Sequence, residues 1–260
     1  MLVEPIPCKQ VREAMHAVAD RGAGQDRSED QIAVRMTAPR TGGQMPSVII
    51  DKRFCGPPNS ANGGYVCGIL ASGMGPSVEA TLRAPPPLGR PLELKCSTDG
   101  TTELLDGATL LGTARDAHLE LGEIPTASYA QAEEAARRSP YDESNHNLPS
   151  CFVCGPARAA GDGLRIFVGP LTHRPDIEVL AGPWVPYPDL AGKDGRVTAE
   201  FVWAALDCPT GFACMASRQL GPGGHEPILL GRMTARINAC PRPGDRCVLT
   251  AWPGRPQAFC

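Results

Sequence analysis

The chain has 260 residues and a mass of 27.5 kDa, room for two units of about 100–150 residues each. Its 25 basic and 28 acidic side chains leave a formal charge of −3 with no strongly basic stretch, which argues against a chain-wide nucleic-acid grip. No window of about 18 residues is free of charges and turn breakers, which excludes a membrane-spanning helix, and 42% hydrophobic residues are enough to bury a core.

In chain order, residues 1–45 read as an N-terminal extension. Residues 9–20 can form one short amphipathic helix with Val11, Met15 and Val18 on a face. The rest, to residue 45, is polar, Gly-rich and compositionally loop-like or disordered. The N-terminus lacks the apolar run of a secretory signal, and the 11 cysteines are an odd number. Together these predict reduced thiols and a soluble, cytoplasmic protein.

A first unit spans 46–124. SVIIDKRF (47–54) is a strand by β-branched content and is broken by CGPPNSANGG. NGGYVCGILAS then forms a short apolar helix. Strand-like runs follow at 78–84, 91–99 and 102–121, the last folding back at Asp106-Gly107. Residues 125–150 are a linker whose ASYAQAEEAARRS forms a helix with almost no apolar stripe, of the kind that lies on a surface or bridges two units.

The second unit, 151–260, repeats the plan. Strands are expected at 163–171 and 176–186, then a helix over 196–218 that is apolar on every side and therefore buried. Strands at 226–239 and 246–253 complete it, one strand short of the first unit. The expected class is α+β, two antiparallel sheets each wrapped around a helix. An unfinished sheet edge of this kind favours a homo-oligomer formed by edge pairing.

Two places carry pointed chemistry. Asn62-Gly63-Gly64 stands at a strand-to-helix turn, where the first amides have no intrahelical partner and the dipole adds positive potential. Glycines there let a ligand oxygen approach, which suits a carbonyl oxygen gaining negative charge. The plainer alternative is an Asn62 cap followed by a tight turn. Asp207 is a carboxylate inside the most apolar helix, costly unless it is hydrogen-bonded or lines a cavity. Pro209 cannot donate to the Ala205 carbonyl, so the helix is expected to kink or open there. Asp207 is thus a candidate general base or nucleophile, or else a structural plug.

RFCGPPNSANGGYVCGILAS (53–72), CFVCGP followed by GDGLRIF (151–167) and VTAEFVWAALDCPTGFA (197–213) resemble the corresponding segments of double hotdog acyl-CoA thioesterases, a likeness covering roughly 46–253. The resemblance implies two tandem hotdog units with a site between them. Gly63 and Gly64 would offer amides to the thioester carbonyl, and Asp207 would activate water or attack the carbonyl itself. Asn62, where many relatives place histidine, would make a polar contact. Gly211, four positions after the acid, would bind substrate. Apart from the resemblance, Tyr65 and Trp203 are candidates to line an acyl pocket, although aromatic residues on central helices are more often plain core.

Leu70-Ala71 replace a matching carboxylate in the first helix, and Thr198-Ala199-Glu200 replace the glycine pair in the second. One site per chain follows. The implied activity is hydrolysis of an acyl-CoA or acyl-carrier thioester without metal or organic cofactor; the alternative is a non-catalytic acyl or acyl-CoA binding protein.

Cys151-x-x-Cys154 invites a zinc reading. No second C-x-x-C or H-x-x-x-H supplies the other ligands, and Cys208 with Cys214, or Cys240 with Cys247, would have to assemble in space. The five histidines (16, 118, 146, 173, 225) show no metal spacing. The sequence therefore predicts no metal site.

Overall fold

The computed structural model describes residues 47–120, 122, 124–141, 144–171, 178–217 and 228–253. The N-terminal extension with its expected helix, and His16, His173 and His225, lie outside them.

The first unit runs β1 (Ser47–Ile49), a 3-10 turn (Lys52–Phe54), α1 (Gly63–Leu70), β2 (Ser77–Leu82), β3 (Pro91–Cys96), β4 (Thr102–Asp106) and β5 (Thr109–Asp116). Period-two patterning sets one face of the strands inward: Val78 and Ala80 on β2, Leu92 and Leu94 on β3, Leu104 on β4, Leu111 on β5. These side chains cover α1, in which every residue after Gly63 is buried. The turn at Asp106-Gly107 joins β4 and β5 as an antiparallel hairpin, as expected.

α2 (Tyr129–Ala136) follows, opened by a Ser128/Gln131 capping box. It is not the stripe-free helix the composition suggests. Ala132 and Ala135 are fully buried against Leu171, Val179, Ala181 and Val248 of the second unit. Its alanines are the apolar stripe, small enough to lie close to the strands.

The second unit contains β6 (Gly169–Pro170), β7 (Leu180–Trp184), α3 (Ala199–Ser217), β8 (Arg232–Arg236) and β9 (Cys247–Ala251). The strand expected over 163–171 shrinks to β6. Arg165 takes a left-handed φ of 51°, and Leu164 and Ile166 donate instead to the Phe152 and Val153 carbonyls at 2.8 and 2.9 Å. Helix α3 runs through Pro209 to Ser217, close to the expected span.

Two antiparallel sheets result, β1-β3-β4-β5-β2-β8 and β6-β7-β9. Strand β8 leaves its own unit and pairs with β2, from Ser77 opposite Arg236 to Thr81 opposite Arg232. Each unit thus places its first strand after the helix at the seam. β7 and β9 pair as β1 and β3 do, but β4 and β5 have no counterpart among the described residues. Among the described residues the second unit has four strands to the first unit's five, one fewer, as expected, and β9 lies in a different sheet from β8. No helix of the described residues is long and apolar enough to cross a membrane.

The quoted cysteine-bearing segments lock the units together. Arg53 donates to the Asp189 carboxylate at 2.5 Å and to the Gly161 and Asp162 carbonyls at 2.8 and 2.7 Å. Phe152 N–H donates to the Cys55 carbonyl at 2.7 Å. Beneath them Phe54 stacks on Tyr65 at 4.5 Å and meets Phe152 edge-on at 4.9 Å.

Candidate active site

The site is built where α1 crosses α3. Gly64 and Gly68, one turn apart, face the second helix with no side chain between the backbones. A Cβ at Gly64 would stand 2.5 Å from the Trp203 carbonyl oxygen and 2.6 Å from Asp207 Cβ; one at Gly68 would stand 2.4 Å from Glu200 Cα. That close approach brings an acid from the back half of the chain against a helix start from the front half.

Asn62 caps α1 and reaches across at once. Its Oδ1 accepts from Tyr65 N–H at 2.9 Å, while its Nδ2 donates to Asp207 Oδ2 at 2.9 Å. Gly64 N–H donates to the same Oδ2, also at 2.9 Å. The capping role and the contact with the acid are therefore both present. Burial pushes the Asp207 carboxyl up to about 6; the Gly64 amide and Asn62 oppose the shift, and negative charge on Cys151 adds to it.

One expectation changes here. The Gly64 amide is occupied by Asp207, so it does not stand ready for a substrate carbonyl. Gly63 N–H makes no hydrogen bond among the described residues and lines the adjoining cleft.

That cleft encloses about 660 Å³, its open mouth included. Asn62, Gly63, Asp207 and Gly211 line it, with Tyr141, His146, Phe212, Met215 and Ile228–Leu230 as walls. Tyr65 and Trp203 do not line it. They are 1% and 3% exposed, and Tyr65 belongs to the aromatic cluster around Phe54. Their role is core: both belong to the packed apolar cluster.

Sequence reasoning missed Tyr141 and His146, which sit in a polar stretch of the expected linker. Phe212 gathers them, stacking on Tyr141 at 4.5 Å and meeting His146 edge-on at 5.9 Å. The only signal was an aromatic residue and a histidine amid residues that favour loops.

Gly211 lines the cleft from within α3, and nothing stands within 4 Å of a Cβ built on it. Gly211→Ala is expected to stabilise the protein by about 0.5–1 kcal/mol through helix propensity. Thermal unfolding checks this: an unchanged or lower midpoint contradicts it.

The same cleft exposes a sulfur cluster. Cys151 and Cys208 lie Sγ to Sγ at 3.7 Å, and with Cys154 all three sulfurs fall within 4.8 Å of one another. Cys208 does assemble beside the C-x-x-C pair, 57 positions away from Cys151 in sequence and invisible to spacing rules.

No protein-family model matches the chain, and no curated protein matches it. Two solved structures are similar in fold. One is from Thermobifida fusca YX and provisionally assigned as a thioesterase II, with 16% identity, TM-score 0.44, and coverage of 83% of this chain and 96% of that one. The other is the TesB protein of Mycobacterium avium subspecies paratuberculosis, with 13% identity, TM-score 0.42 and the same 83% and 96% coverage.

Proposed function

We propose that the cleft hydrolyses acyl-CoA or acyl-carrier thioesters, with Asp207 as the catalytic carboxylate. The observation that carries this reading is one carboxylate, Asp207, gripped by Asn62 and Gly64 at the start of α1 and lining an open, largely apolar cleft. A buried acid that served only as a plug would have no need of a cleft.

Both donors hold Oδ2, and Oδ1 makes no hydrogen bond among the described residues. This favours Asp207 as general base over direct nucleophile, because an anchored carboxylate with one open oxygen accepts a proton without moving. Water gives its proton to Oδ1, and its oxygen bonds to the thioester carbonyl carbon. The displaced electron pair rests on the carbonyl oxygen, facing the Gly63 N–H at the positive end of α1. Collapse breaks the C–S bond, and the departing sulfur takes the proton from Asp207. With its carboxyl near 6, Asp207 is largely ionised at neutral pH yet more basic than an exposed aspartate. Phe212, Met215 and Ile228–Leu230 offer apolar surface to an acyl chain.

Purified protein is incubated with acyl-CoAs of several chain lengths, and CoA is followed by chromatography, because the chain's 11 cysteines would react with a thiol dye. CoA and free acid are expected in equal amounts, over many turnovers. Stoichiometric binding of acyl-CoA with no release at any chain length would make the protein an acyl carrier or sensor and defeat the hydrolase reading.

A further inference from the structure

The CFVCG turn at Cys151–Gly155 is tight: Gly155 N–H closes it on the Cys151 carbonyl at 2.9 Å. A Cβ at Gly155 would lie 2.4 Å from that carbonyl oxygen and 2.5 Å from the Pro149 carbonyl oxygen, so this tightness requires glycine.

Helix α3 delivers the third sulfur. The 3.7 Å between Cys151 and Cys208 is far beyond an S–S bond of about 2.05 Å. It matches the roughly 3.8 Å edge of a tetrahedron whose centre lies about 2.3 Å from each sulfur, the zinc–thiolate length. Cys151 and Cys154 are 1% and 4% exposed, yet all three cysteines line the cleft. Three soft donors on one side therefore leave a fourth position open towards it.

We propose that Cys151, Cys154 and Cys208 form a binding site for a thiophilic divalent cation, zinc being the ion whose geometry they match, beside Asp207 at the wall of the cleft. Bound there, the ion ties the first turn of the second unit to α3. The fourth ligand is an oxygen entering from the cleft rather than His146. Leu148 N–H donates to His146 Nδ1 at 3.0 Å, which places the proton of the neutral ring on Nε2. That buried Nε2–H has no partner and is suited to donate to a group bound at the fourth position. The site does not depend on the hydrolase reading.

The full-length protein, grown with added zinc and purified under reductant, is passed through a weak chelator and its metal measured by mass spectrometry. One zinc per chain is expected, falling to background in Cys151→Ser and Cys208→Ser and retained in Cys96→Ser, a distant exposed cysteine. Wild type holding no more zinc than Cys208→Ser, or loss of zinc in Cys96→Ser, overturns the proposal. If the serine variants fail to fold, X-ray absorption of the wild type decides. Three sulfurs at about 2.3 Å support the site; a shell of nitrogen and oxygen alone, or no bound zinc, refutes it.

Discussion

Replacing Asp207 with asparagine lowers CoA release by about 100- to 10,000-fold, the usual worth of a positioned acid or base. The side chains are nearly isosteric. The amide oxygen can take the place of Oδ2 and accept from Asn62 Nδ2 and Gly64 N–H, each now at 2.9 Å, so the helix junction survives. What is lost is the capacity to take a proton from water. Burial disfavours the ionised carboxylate in the folded protein, so the neutral amide leaves the unfolding midpoint at neutral pH equal or higher. A rate fall without a stability fall separates chemistry from folding. Hydrolysis at the wild-type rate would remove Asp207 from the mechanism.

Gly64→Ala is expected to damage both stability and activity. Its methyl group would meet the Trp203 carbonyl oxygen at 2.5 Å, Asp207 Cβ at 2.6 Å and Ala204 Cα at 3.0 Å. Two of these are backbone atoms that no rotamer change can remove, so α1 and α3 must separate. Overpacking of this kind costs about 3 kcal/mol, a drop of roughly 6–12 °C in a chain of this size. Activity falls as well, because the separation pulls Asp207 from the Gly64 amide. Gly68→Ala meets Glu200 Cα at 2.4 Å and destabilises comparably. Its effect on rate is smaller, since the strain enters one turn away from the acid. Equal stability of Gly64→Ala and wild type by thermal unfolding would mean that the helices are not held this closely.

The elements that could be read from the sequence are those whose pattern is local. The alternation in β2 to β5, the Asp106-Gly107 turn and the two apolar helices all announce themselves within a dozen residues. The residue types marked Asp207 and the start of α1 separately, as an acid that is costly to bury and amides without a partner. That the two meet was what the family resemblance implied, and the 2.9 Å contacts bring them together. Other features depend on contacts between distant segments. Strand β8 reads like any other strand, and nothing in its own residues tells that it joins β2 of the other unit. Residues 163–171 look extended, but the left-handed Arg165 and the carbonyls of the CFVC turn draw them out of the ladder.

The cleft wall was hidden for a related reason. Tyr141 and His146 stand in a polar stretch, and Phe212, which collects them, lies on another element. The sulfur cluster shows the limit most clearly. A search for a second C-x-x-C misses Cys208, because a helix crossing, not a spacing, brings it to Cys151.

The central claim is that a substrate carbonyl sits between the tip of α1 and Asp207. A crystal structure with a non-hydrolysable ketone or thioether analogue of acyl-CoA tests it most directly. The account predicts the analogue in the cleft, its carbonyl oxygen about 2.7–3.1 Å from Gly63 N–H and its carbonyl carbon facing Asp207 Oδ1 across room for one water. An analogue seated elsewhere on the protein, or in the cleft with its carbonyl turned away from both groups, would contradict it.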